Sequence, residues 1–153
     1  LSDSNESVKI FYSYVSQDQS FIDQLDTHLA VLKRRTWIIT SYAGEAGADR
    51  MEQLNQADII LLLISPNFIN TPYIYEREAK RAMERRKEGI IVIPVLLRPT
   101  DGWQLEEFGG LIAVPRDKPV SAYSNKDDAF SSIAGEIRAI VINIRKVRGL
   151  TIG

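Results

Sequence analysis

The chain has 153 residues, of which 44% are apolar and 25% are charged, as is usual for one globular domain. A net charge of −1 excludes nucleic-acid binding by bulk electrostatics, and the lack of cysteine excludes disulfide frameworks, thiolate zinc sites and thiol nucleophiles. No apolar run reaches the roughly 18–20 residues of a membrane span and no apolar secretion signal opens the chain, so we expect a cytoplasmic domain without membrane contact.

Alternating strands and helices are predicted along the whole chain. Strands are expected where β-branched and aromatic residues cluster, and helices where apolar residues recur every three or four positions. In chain order the predicted elements are a strand at 8–14, a helix ending near 32, a strand at 36–40, a loop at 42–47, a short helix at about 49–56, a strand at 59–64, a helix at about 72–87, a strand at 90–97, a short strand at 111–114 and a last helix capped by Asn125 or Ser124.

The run Ile59 to Ile64 contains only apolar residues and shows no alternation. Such a strand is covered on both faces, which is typical of a parallel sheet between two layers of helices. We therefore predict an α/β domain, a flavodoxin-like three-layer sandwich with a five-stranded parallel sheet in the order 2-1-3-4-5. Pro94 places the fourth strand near an edge of the sheet.

Glu78 is the polar residue with the best defined position. It lies one turn into the helix that follows the buried strand, at the carboxyl edge of the sheet where open α/β proteins bind ligands. Helical geometry puts it on the flank between the buried and the solvated side. From geometry alone an ion pair with Arg81, three residues further on, is the simpler interpretation.

Other candidate residues follow the first two strands. Ser13 and Ser16 end the first strand at the same edge, where capping of the next helix is their simpler use. Gly44 and Gly47 bring backbone close to a ligand or form an ordinary turn. With His28 as the only histidine, nothing suggests a catalytic triad or a metal site. One carboxylate with hydroxyl and backbone groups suits cleavage of a glycosidic bond, whose cationic transition state needs a negative charge.

Several segments together resemble TIR domains of the bacterial type, over residues 8–148. We expect one such domain there, with flexible ends at 1–7 and 149–153. The segments that carry the resemblance are Ile10 to Tyr14, Ala57 to Phe68, Tyr73 to Tyr75 with Glu78, Arg81 to Arg85, Ile93 to Pro99, Lys118 to Val120, and Asp127 to Phe130 with Ile133.

The resemblance implies a self-assembling domain that hydrolyses NAD⁺ or forms cyclic ADP-ribose products, with NAD⁺ as substrate and no further cofactor. By position, Glu78 matches the catalytic glutamate of the family, and Ile74 stands where many active members have tryptophan. Tyr14 and Val15 match the residues that line the nicotinamide end of the site, and Ser13 beside them is expected to bind substrate. Gly44 and Glu45 fall in a loop that covers the site and joins neighbouring subunits in active assemblies.

The chain departs from the family pattern in two ways, and two other functions are alternatives to this interpretation. The loop after the second strand is shorter than in relatives and lacks their Trp-x-Asp stretch, because Ser41, Tyr42 and Ala43 lead directly to Gly44. A non-catalytic module that binds other TIR domains is therefore the alternative. A nucleoside deoxyribosyltransferase, which shares the fold and a catalytic carboxylate, is a third interpretation. Signalling or antiviral defence is the expected context.

Overall fold

A computed structural model of the protein describes residues 6–41 and 50–152. Four parallel strands form its sheet, in the order β2-β1-β3-β4. The strands are β1 (Val8–Ser13), β2 (Ile38–Ser41), β3 (Ile59–Ile64) and β4 (Ile91–Leu96).

Helices connect these strands. The helical elements are α1 (Gln19–His28), α2 (Ala30–Arg34), α3 (Arg50–Gln56), α4 (Pro66–Ile69), a π-helix (Ile74–Ala79) that continues as α5 (Lys80–Lys87), α6 (Lys126–Val147), and 3₁₀ segments at Ser16–Asp18, Trp103–Leu105, Glu107–Gly110 and Val120–Ala122. Within the described residues, no helix combines the length and the apolar character needed to cross a bilayer.

Strand β3 explains the layered architecture. All six of its residues are fully buried, and alternate residues enter two different cores. Ile59, Leu61 and Leu63 pack under α1, α2 and α6, whereas Ile60, Leu62 and Ile64 pack under α3, α4, the π-helix and α5. The prediction of a strand covered on both faces is confirmed.

The predicted fifth strand does not form. Residues 111–114 make one parallel bridge, between Val114 and Val95 on the outer side of β4. The Val114 N–H donates to the Pro94 carbonyl at 3.0 Å, and its carbonyl accepts from the Leu96 N–H at 2.9 Å. The pairing does not extend beyond this single bridge. Among the described residues the sheet has four strands, with β4 at the edge as Pro94 predicts.

The predicted cap of the first helix is wrong, and the predicted cap of the last helix is confirmed. Neither Ser13 nor Ser16 caps the first helix, which is also divided at Leu29 into α1 and α2. Asn125 does cap α6, because its side-chain oxygen accepts from the Asp127 N–H at 2.9 Å.

Truncation of either face of β3 tests the two-sided core. We expect Leu61→Ala and Leu62→Ala each to lower the free energy of unfolding by about 2–5 kcal/mol, because each leaves a cavity in a close-packed core. Urea denaturation followed by circular dichroism measures the loss. Leu105→Ala, at a side chain that is 88% exposed, is the control and should change stability by less than about 0.5 kcal/mol. A loss below about 1 kcal/mol at either β3 position would contradict the two-sided burial.

Candidate active site

The helix that holds Glu78 is wound more loosely than an α-helix in the turn that contains this residue. Residues 72 and 73 are helical, and Ile74–Ala79 then form a π-helix before α5 begins. In a π turn each N–H bonds to the carbonyl five residues earlier, so one extra residue enters the turn. That extra residue shifts the direction of the side chains and turns Glu78 towards the sheet. π turns of this kind occur frequently at functional sites.

Glu78 is fully buried, with 0% of its surface exposed. Its Oε1 accepts hydrogen bonds from Ser13 Oγ at 2.7 Å and from Arg50 Nη2 at 2.6 Å, and its Oε2 accepts from Arg50 Nε at 2.5 Å. The guanidinium and the carboxylate therefore meet in the two-pronged geometry that gives the strongest ion pairs. Burial of a carboxylate is costly unless a cation and hydrogen bonds compensate it, and both are present here.

Three elements bring these groups together. Ser13 is the last residue of β1, Arg50 is the first residue of α3, and Glu78 lies on the π-helix after β3. The Arg50 guanidinium also lies over the Phe11 ring, 5.8 Å from its centre. The parallel order of β1 and β3 makes the carboxyl end of the sheet the place where they converge.

A second buried polar contact lies at the same end of the sheet. Ser65, which follows β3, donates a hydrogen bond to Asp18, and its oxygen accepts from the Phe68 N–H at the start of α4. Asp18 is 2% exposed. Every buried side-chain nitrogen and oxygen among residues 6–41 and 50–152 has a hydrogen-bond partner, so the rim is fully satisfied.

An open cavity of about 460 Å³ lies beside the ion pair. It is lined by residues after β1, by Arg50, and by residues at the start of the Glu78 helix: Tyr14, Val15, Ser16, Gln17, Arg50, Thr71, Tyr73 and Ile74. Another cavity, of about 300 Å³, lies near Ser7 and Ile38 at the amino end of the strands, and one of about 380 Å³ lies beside Leu96 and Trp103. Of these three cavities among the described residues, the one of about 460 Å³ includes Arg50 in its lining.

The structure brings most of the predicted site residues to one place. Ser13 contacts Glu78 directly, and Tyr14, Val15 and Ile74 line the adjacent cavity. Their roles towards a substrate stay predictions. Gly44 and Glu45 lie outside the described residues. The expected pair between Glu78 and Arg81 is wrong, because Arg81 instead contacts Asn55 and Glu84 at the surface.

Arg50 is the residue that sequence analysis missed. A signal for it was present, because Arg50, Leu54 and Ala57 follow one another at helical spacing and all three are buried. A charged residue on an apolar stripe needs a buried partner of opposite charge. Reading that spacing together with the acidic residue after β3 would have suggested the pair.

The two tryptophans and the histidine of the chain have packing or surface contacts. Trp103 stacks on Phe108 with 6.5 Å between ring centres, and the Arg145 guanidinium lies 4.6 Å from the centre of the Trp37 ring. His28 lies at the surface, with Nε2 3.1 Å from Asp127 Oδ1. No group of three acidic or histidine side chains suited to a metal ion occurs in the part of the chain that the structure describes.

Tyr75 ties the π-helix to the segment after β4. Its hydroxyl donates to the Glu106 carboxylate, and its ring meets Phe108 edge-on with 6.2 Å between centres. The hydrogen bond to Glu106 and then partial burial raise the pKa of Tyr75 to about 12. The contact therefore anchors the helix next to Ile74 and Glu78 through the neutral form of the phenol.

Comparison with known proteins identifies the family of the chain. The sequence model of the TIR domain family matches residues 10–133, and the chain therefore belongs to the TIR domain family. An uncharacterized protein of Sinorhizobium fredii (strain NBRC 101917 / NGR234), y4lF, is 42% identical to it over 84% of this chain. That match covers 42% of the relative, so the chain spans less than half the length of the curated protein it resembles.

Removal of the Ser13 hydroxyl tests its part in holding Glu78. We expect Ser13→Ala to lower the free energy of unfolding by about 1–2 kcal/mol, since the carboxylate loses one donor but keeps Arg50. Chemical denaturation provides the measurement. Ser16→Ala removes a hydroxyl from an exposed position of the same segment and should cost less than about 0.5 kcal/mol. Equal losses in the two variants would show that the Ser13 contact contributes nothing specific.

Alkaline pH tests the Tyr75 contact. We expect Tyr75→Phe to be less stable than the parent by up to about 1 kcal/mol at neutral pH, because this partly exposed hydrogen bond is lost. A raised folded pKa stabilises the fold below the unfolded pKa of 10.0, and that contribution disappears as pH rises towards about 12. Urea titrations between pH 7 and roughly 11.5 should show the two proteins converging. A gap that stays constant with pH would contradict the assignment.

Proposed function

We propose that this TIR domain is an NAD⁺ glycohydrolase, with or without formation of cyclic ADP-ribose products, whose carboxylate is Glu78. The observation that carries the proposal is the position of that residue. Glu78 is a buried carboxylate at the carboxyl end of the sheet, next to a cavity of about 460 Å³, and a buried ion pair is by itself weak evidence for a purely stabilising role.

The proposed reaction needs few catalytic groups from the protein. The bond between nicotinamide and ribose C1′ breaks with its electron pair going to nicotinamide, which leaves as a neutral molecule. The ribosyl cation is met by the negative charge of Glu78 and adds water, which releases one proton. No general acid is needed for such a leaving group, which suits a site with one carboxylate and hydroxyl groups.

The lining of the cavity suits the substrate. Tyr14, Val15 and Ile74 offer apolar and aromatic surface for the nicotinamide and ribose rings. Glu78 is the acceptor for ribose hydroxyls once its present donors are displaced. The proposal also includes self-association with other TIR domains through Gly44 and Glu45. The domain then acts in the cytoplasm, in signalling or antiviral defence.

One observation favours a second candidate, a non-catalytic module for binding other TIR domains. Both oxygens of Glu78 are already bonded to Arg50 and the side chain has no exposed surface. A carboxylate in that state stabilises the fold without meeting a substrate. The two candidate functions differ in whether the ion pair between Arg50 and Glu78 opens.

The decisive experiment follows NAD⁺ consumption across a range of protein concentrations, with chromatography of the products and light scattering of the same samples. We expect turnover to rise more steeply than protein concentration and to fall at least about 100-fold in Glu78→Gln, because the neutral amide cannot stabilise the cation. Glu84→Gln is the matched control, since Glu84 is an exposed residue of the same helix that pairs with Arg81. It should retain turnover.

Other results assign the function differently. Assembly in light scattering without loss of NAD⁺ would support the interaction module. Transfer of the sugar to an added free base would support a deoxyribosyltransferase. Turnover that survives in a folded Glu78→Gln would contradict the assignment of the carboxylate, and circular dichroism of each variant establishes that it is folded.

A further inference from the structure

We propose that Arg50 is a second substrate-contacting residue: its guanidinium covers Glu78 in the free chain and pairs with a phosphate group of the bound substrate. The inference rests on the proposed function and narrows its substrate class. The site then prefers phosphate-bearing nicotinamide ribosides, such as the mononucleotide and the dinucleotide, over the riboside without phosphate.

The position of Arg50 between the cavity and the carboxylate is the first argument. Arg50 lines the cavity, whereas Glu78 has no exposed surface and does not line it. The side chain of Arg50 is 9% exposed and bonds to both oxygens of Glu78. A ligand in the cavity therefore contacts Arg50 and not Glu78, and Glu78 reaches a ribose only when Arg50 moves.

The second argument concerns what replaces the pair. Separating a buried cation from a buried anion leaves two uncompensated charges, which is strongly unfavourable. Ribose hydroxyls donate hydrogen bonds and can satisfy the oxygens of Glu78. They do nothing for the positive charge of Arg50, which needs an anion of its own. A phosphate group offers the negative charge and the paired oxygens that a guanidinium binds best.

The third argument is that Arg50 has no cationic alternative among the described lining residues. Of the described residues around the cavity, Arg50 is the one that carries a positive charge. The others that bear polar groups, Tyr14, Ser16, Gln17, Thr71 and Tyr73, are neutral. A substrate phosphate in the cavity thus finds its charge partner in the same group that its ribose displaces from Glu78.

Two measurements test this partner exchange. Calorimetry with ADP-ribose, which keeps the ribose and phosphates but has no nicotinamide to lose, measures binding without turnover. We expect Arg50→Gln to weaken ADP-ribose binding at least tenfold and Arg50→Lys, which keeps the charge, to recover part of that loss. Arg81→Gln, the same change at a surface pair, should bind as the parent does.

Substrate comparison is the second measurement. At assembling protein concentrations we expect kcat/KM of Arg50→Gln to fall at least tenfold for nicotinamide mononucleotide, with less than a threefold loss for nicotinamide riboside. A general disturbance of the fold would lower both alike. Circular dichroism establishes folding. Where Arg50→Gln does not fold, the variant with both Arg50→Gln and Glu78→Gln is compared with Glu78→Gln alone, and the further loss of ADP-ribose binding is the contribution of Arg50.

Equal losses for the two substrates, or tight binding of ADP-ribose to folded Arg50→Gln, would overturn the inference. So would a parent chain that does not bind ADP-ribose. Binding of ADP-ribose that depends on Arg50, in a chain that cleaves none of the nicotinamide compounds, would uphold the inference as an anion site and reject the proposed reaction instead.

Discussion

The burial of one charge governs the carboxyl end of this domain. Glu78 has no exposed surface, and a carboxylate removed from water is tolerated only beside a cation with its oxygens hydrogen-bonded. Arg50 and Ser13 meet that requirement. Because the three residues belong to α3, β1 and the π-helix, the pair also fixes how these elements approach one another.

The same contact connects stability to function. The ion pair stabilises the closed site, and the open cavity beside it supplies a route by which a ligand can compete for both partners. Under the proposed function, catalysis requires the exchanged pair and scaffolding the closed one. Tyr75 holds the π-helix from the other side through Glu106, so that an exchange of partners at Glu78 takes place on an anchored helix.

Much of the fold was predictable because its signals are local. The apolar run of β3 has no alternation, and a strand of that kind has to be covered on both faces. The fifth strand was wrong because a run of apolar residues does not reveal whether its backbone groups find partners. At 111–114 only Val114 finds such partners on β4, and the pairing stops at one bridge.

The sequence by itself determined the α/β class, the parallel sheet, the family and the position of Glu78 after β3, since periodicity and residue order suffice for these. The tertiary structure decided how Glu78 is used. An extra residue in the π turn changes the direction of every later side chain. For that reason α-helical periodicity predicts Glu78 on the flank of the helix, whereas in the structure its side chain points inward. Its partner, Arg50, lies 28 residues away in sequence, and only packing of α3 against the sheet brings two such distant charges within 2.5 Å.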